Sequence, residues 1–214
     1  MGTTGLITGL RRQSGNRRLV GVYVDGEKLA RVTVEDVASL GLRRGMEVSE
    51  ALLSEVMRRS ALVEAKSRAL RLLARRSRSR AELKRYLKTK GFDQTTIETA
   101  LGQLERLGYV DDAAHARAYA EQLAARGRSG PRAIYAKLRQ RGVAAEIAAA
   151  AAEEVLSGAD QEAMARRLAE KRLSALANVD MPTKRRRLYA FLARRGFDPD
   201  TISGVLADLL PADD

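Results

Sequence analysis

Apolar positions along this chain follow two rhythms, and the change from one to the other divides it. Over residues 5–33 they alternate: GLITGLRR, LVGVYV and LARVTV read as three short strands, separated by the turn-like SGN and by Asp25-Gly26, a pair that favours a hairpin. The spacing then turns helical. A short helix is expected over 35–40, closed by Gly41, and helical spacing resumes at Met46 through Leu52, Leu53, Val56 and Met57, with Ser49 as a plausible N-cap. From Ala61 onward helices come in groups of three: 61–76, 79–90 and 94–107; 112–126, 131–141 and 144–156; 160–177, 183–195 and 199–210. Pro131, Pro182 and Pro199 sit at helix starts, where a missing N–H is tolerated. Each helix is too short to be stable alone, so one packed apolar face must hold it.

The groups share a grammar. In the stretch 75–92, RRSRSRAELKRYLKTKGF, Leu83 and Leu87 stand eight and four positions before Gly91; Ile134 and Leu138 stand so before Gly142, and Leu188 and Leu192 before Gly196. An apolar residue follows each glycine (Phe92, Val143, Phe197), and Ile97, Ile147 and Ile202 come five or six positions past it. Glycines spaced by 51 and 54 residues mark three copies of one unit, and repeats of this period stack into a quasi-linear architecture. The expected fold is mainly α: three tandem three-helix repeats, elongated and curved, with a small β-rich N-terminal extension. The domain limits expected are 1–58 for the extension, which reads as a packing cap, then 60–108, 109–157 and 158–211 for the repeats. Tyr86, Tyr135, Tyr189 and Phe191 are expected in the core on the same register.

Charge changes the picture most. The 214 residues hold 39 Lys plus Arg against 27 Asp plus Glu, a net charge of +12, which argues for a polyanionic partner. Between Lys66 and Lys90 there are eleven basic residues and one acid, Glu82. On the helix over 79–90, Arg80, Lys84, Arg85 and Lys88 share one arc while Leu83, Tyr86 and Leu87 share another, so one face packs and the other is open to phosphate. A charge run is ordinarily a solvated face; here the scarcity of acids tells against ion pairing within the run. The joints ahead of the second helices repeat the theme with Arg75, Arg76, Arg78 and Arg80, then Arg126, Arg128 and Arg132, then Lys184 to Arg187. Ser77, Ser79, Gly127, Ser129 and Gly130 would leave helix N-terminal N–H groups accessible to an anion, or form plain polar loops.

Several classes are excluded. The third helices carry Arg106 as their one basic residue, so they do not suit a major-groove recognition helix, and any DNA contact should be backbone-directed and sequence-tolerant. Nine aromatics and no Trp give little for base stacking. There is no cysteine and one histidine, His115, which reads as structural or surface; Asp111-Asp112 opens a helix, as the helix dipole favours, rather than binding a metal. No nucleotide-binding or nucleophile motif occurs, so no catalytic residue, cofactor site or metal site is expected. No apolar run reaches the ~18 residues of a membrane span and no signal-peptide pattern opens the chain, so a soluble, cytoplasmic protein is expected.

With these residues in hand, ALRLLARRSRSRAELKRYLKTKGF (69–92), LERLGYVDDAAHARAYAEQL (104–123) and GRSGPRAIYAKLRQRGV (127–143) resemble the RecX family, regulators of the RecA recombinase. The match is close over most of 60–145 and looser elsewhere; it departs at His115, where the family commonly has a bulky aromatic. The resemblance implies the tandem repeat fold and a non-enzymatic, monomeric modulator that binds the RecA–DNA filament. Such a protein blocks filament extension or promotes disassembly, suppressing ATP hydrolysis, strand exchange and co-protease activity in DNA repair, homologous recombination and the SOS response. Polyanion contact is expected through Arg75, Arg76, Arg78, Arg80, Lys84 and Lys88, with Arg126, Arg128 and Arg132 beside them. The alternatives are a sequence-tolerant DNA-binding protein or regulator acting without RecA, and a protein-interaction scaffold with no salt-sensitive DNA affinity.

Overall fold

The computed structural model describes residues 3–156 and 158–210. Strands β1 (Thr3–Gln13), β2 (Asn16–Val24), β3 (Glu27–Thr33) and β4 (Glu47–Ser49) form an antiparallel sheet in the order β3-β2-β1-β4. The helices are α1 (Val34–Ser39), α2 (Glu50–Leu73), α3 (Arg80–Thr89), α4 (Gln94–Arg106), α5 (Asp112–Ala125), α6 (Pro131–Gln140), α7 (Ala145–Glu154), α8 (Gly158–Leu173), α9 (Met181–Arg194) and α10 (Pro199–Leu209), with a 3-10 turn at Ser174–Leu176. Two compact units result, one of Met1–Arg78 with Leu83–Val110 and one of Ser79–Glu82 with Asp111–Asp214.

In the first unit the β2–β3 hairpin turns through Asp25 and Gly26, whose φ angles of 48° and 90° are what an Asp-Gly pair supplies. Thr33 caps α1 in a capping box with Asp36, and Ser49 caps α2 by accepting the Leu52 N–H. The strand β4 escapes the sequence pattern because its three residues also fit helical spacing, and it is held by pairing with β1. The boundary expected near residue 58 falls inside α2, where neither glycine nor proline interrupts 24 residues, about 36 Å of helix. This helix serves two cores. Val56 joins Ile7, Val22, Val32 and Val48 beneath the sheet, while Ala65 and Ala69 join Leu83, Leu87, Ile97, Leu101 and Leu104 among the helices. The sheet is therefore fastened to the first helix of the first repeat: the Arg31 N–H donates to Ser60 Oγ at 3.0 Å and the Arg31 guanidinium pairs with Glu64.

The second unit has one continuous core from Ala116 to Leu210, so its two repeats share their packing. Ile134, Leu138, Leu188 and Leu192 are fully buried, as Leu83 and Leu87 are in the first unit. Gly91, Gly142 and Gly196 close the second helices at φ of 82°, 83° and 85°, a region that L side chains avoid. Six positions on stand Ile97, Ala148 and Ile202, all buried; Ile147, expected there, is only partly buried, and the small Ala148 takes the core position. Tyr135 and Tyr189 are likewise corrected to the surface, at 36% and 39% exposure. They follow Ile134 and Leu188 by one residue, about 100° around the helix, which is the register of Lys84; Phe191 shares the partly buried register of Tyr86.

Candidate nucleic-acid interface

The helix starts expected to cradle an anion are occupied. Ser79 is fully buried: its hydroxyl donates to the Arg141 carbonyl at 2.7 Å and accepts the Glu82 N–H, while its own N–H donates to the Glu82 carboxylate at 3.1 Å. The next N–H, of Arg80, donates to Asp112 Oδ1 at 2.7 Å. At the start of α6 the Gly130 N–H donates to the Arg195 carbonyl at 2.8 Å and the Arg132 N–H to the Gly196 carbonyl at 3.1 Å. Both joints thus receive the carbonyl at the end of a later second helix, Arg141 or Arg195. The glycine after it sits so close that a Cβ on Gly142 would lie 2.4 Å from Ala81 Cβ, and one on Gly196 2.2 Å from the Ala133 nitrogen. These N–H groups serve stacking, not anion binding.

Glu82, the lone acid of the basic run, is part of the same join. Its carboxylate accepts from Arg141 Nη1 at 3.2 Å and lies 3.8 Å from His115 Nε2. The Arg141 guanidinium lies 4.0 Å over the Tyr119 ring, which is parallel to the His115 ring. His115 is 5% exposed, so at this position histidine is a packed residue with a polar neighbour.

The predicted cations divide. In the first unit, Arg75 and Arg76 are exposed just beyond α2 and Lys88 is exposed on α3, none of them paired with a carboxylate among the described residues. Lys84 pairs with Glu98 of α4 at 2.7 Å, so the run does use acids, drawn from outside itself. Arg78 and Arg80 are only partly exposed, and each has an interaction partner. In the second unit, Arg126, Arg128 and Arg132 are exposed around the α5–α6 joint. Arg128 also lines a cleft with Lys171, Arg172 and Arg195, three cations that the repeat pattern did not single out because they lie on separate segments. The first unit further contains an apolar groove of about 550 Å³ between α2, α4 and the start of β2, flanked by Leu107 and Tyr109, which are 67% and 56% exposed.

Successive three-helix units joined through a glycine turn, with exposed cations at the joints, define a basic tandem three-helix repeat protein. The patterns described as the first, second and third three-helix domains of RecX match residues 65–104, 111–151 and 160–206. The chain belongs to the RecX family of regulatory proteins. It is 45% identical to the regulatory protein RecX of Amycolatopsis mediterranei over 134 residues, 63% of this chain and 76% of that one. To the regulatory protein RecX of Geobacillus thermodenitrificans it is 32% identical over 210 residues, 97% of this chain and 77% of that one. The fold is similar to a crystal structure of regulatory protein RecX, with a TM-score of 0.81 at 21% identity over 94% of this chain and 98% of that one. A crystal structure of RecX from Lactobacillus salivarius gives a TM-score of 0.65 at 22% identity over 70% and 96%.

Proposed function

We propose that this chain is a non-enzymatic negative regulator of the RecA recombinase, binding the RecA–DNA filament and limiting its extension, ATP hydrolysis, strand exchange and co-protease activity. The observation that carries this reading is the match to RecX domains in all three repeats. Two surfaces support it. Exposed cations at Arg75, Arg76 and Lys88, and at Arg126, Arg128 and Arg132, supply sequence-tolerant contact to phosphate. The apolar groove beside Leu107 and Tyr109 supplies contact area for a protein partner. The protein acts as a monomer in the cytoplasm, where its partner works.

The test is RecA's ATP hydrolysis on single-stranded DNA with this protein at a small fraction of the RecA concentration. Inhibition far out of proportion to dose, with no hydrolysis by the protein alone, is the expected result. Inhibition that begins only when the protein saturates the strand would instead make it a DNA-binding protein that competes for bare DNA without engaging the filament.

A further inference from the structure

In the second unit, the C-terminal ends of α8 and α9 and the joint before α6 enclose a cleft of about 270 Å³ lined by Arg128, Leu168, Lys171, Arg172, Phe191 and Arg195. With Ala175 the lining comprises seven residues, four of them cations. Among the described residues none of the four pairs with a carboxylate, although acidic residues such as Glu170 are adjacent in sequence. Two of the four are anchored, Arg195 and Arg172. Arg195 Nη1 donates to the Arg128 carbonyl at 3.3 Å, and the Arg195 and Arg172 guanidinium carbons lie 5.2 and 5.9 Å from the centre of the Phe191 ring. Two helices end here, and cations commonly answer the partial negative charge of a helix C-terminus. That accounts for only part of the set: two helix ends supply about half a negative charge each, which leaves about three of the four positive charges uncompensated.

We infer that this cleft is a binding site for a phosphate group. Like charges converging on one recess repel each other, and an anion seated among them removes that repulsion while accepting hydrogen bonds from guanidinium and ammonium donors. A recess of about 270 Å³ has ample room for one phosphate group, and its donors are guanidinium and ammonium groups, which suit phosphate oxygens. A phosphodiester of a nucleic-acid backbone and the terminal phosphates of a free polyphosphate share the required chemistry. The site lies in the second unit, apart in sequence from the basic run at 66–90, and it needs no RecA to be tested.

The experiment compares the full chain with a Lys171→Gln, Arg172→Gln double variant, whose side chains are exposed at a helix end, thermal melting serving as the control for folding. Two probes are used without RecA: a fluorescein-labelled oligothymidylate, followed by anisotropy across a salt series, and pyrophosphate, followed by calorimetric titration. If the ligand is a strand backbone, the variant binds the oligonucleotide more weakly and the slope of log affinity against log salt falls by about 1.4, two phosphate contacts at about 0.7 each. If it is a free polyphosphate, pyrophosphate binding weakens tenfold or more and the oligonucleotide slope stays. Binding of both probes equal to that of the unaltered chain overturns the proposal, and Arg128→Gln gives an independent repeat of the comparison outside α8.

Discussion

Gly91 and Gly196 share a backbone angle but not their surroundings. A Cβ on Gly91 would meet nothing within 4 Å, whereas one on Gly196 would lie 2.2 Å from the Ala133 nitrogen. Gly91→Ala should therefore cost only the left-handed penalty of about 1–2 kcal/mol, and Gly196→Ala should add overpacking for a total of about 2–5 kcal/mol. Urea midpoints at constant m separate the two, and equal losses would mean that the close approach is not formed in solution. Acid sensitivity also belongs to single residues. The Thr96 hydroxyl and N–H hold the Asp93 carboxyl below its ordinary 3.8; burial raises Asp198, but the Thr201 N–H and hydroxyl outweigh it and the net direction is down. Hydrogen bonds from Arg58 and Arg59 take half-buried Glu55 down to about 2. Depressed carboxyls stabilise the fold above their unfolded pKa and lose that contribution as pH falls through the folded one. Stability should thus hold from neutrality to about pH 4 and fall below it, and Asp93→Asn with Asp198→Asn should flatten that fall in a urea series. The glycine grammar was legible because only glycine tolerates its φ. Ala148 was not, since a small residue leaves no apolar signal beside Ile147.

Helices were more legible than their partnerships. The glycine ends, first-turn prolines and leucine pairs placed the helices of the repeats within a few residues, while α2 was cut short because its sheet-facing half and its repeat-facing half bury different faces: Val56 and Ala65 lie about 180° apart around the helix, so the apolar period breaks between them. A helix that serves two cores couples them mechanically. Ala61→Pro breaks α2 between Val56 and Ala65 at a cost of about 3 kcal/mol or more, and calorimetry should then resolve two transitions for the first unit, against an expected single one for the unaltered chain's first unit. One transition, merely shifted, would mean that contacts other than α2 join sheet and helices. The candidate site was less legible. Its cations were visible as a run, but Lys84 finds Glu98 fourteen residues on, and the Arg128 cleft draws on residues from 128 to 195. Such convergence exists only after folding.

At the scale of the whole molecule, charge and apolar surface make separable demands. Replacing Arg75 and Arg76 with alanine should weaken binding to DNA of any sequence and lower its salt slope on single strands by about 0.7 for each phosphate left without its cation. Under the filament reading, Leu107→Glu, on an exposed side chain, should reduce inhibition of RecA's ATP hydrolysis and leave that salt slope unchanged. A change in both would place Leu107 on the DNA path instead. The joins between repeats have a consequence of another kind. Each asks for a carbonyl, which every residue has, and for a glycine beside a small residue where the two helices touch. An architecture spelled in so few obligatory letters lets the rest of its surface drift over evolutionary time. That tolerance is how a chain can keep a TM-score of 0.81 to a relative with which it shares 21% of its residues.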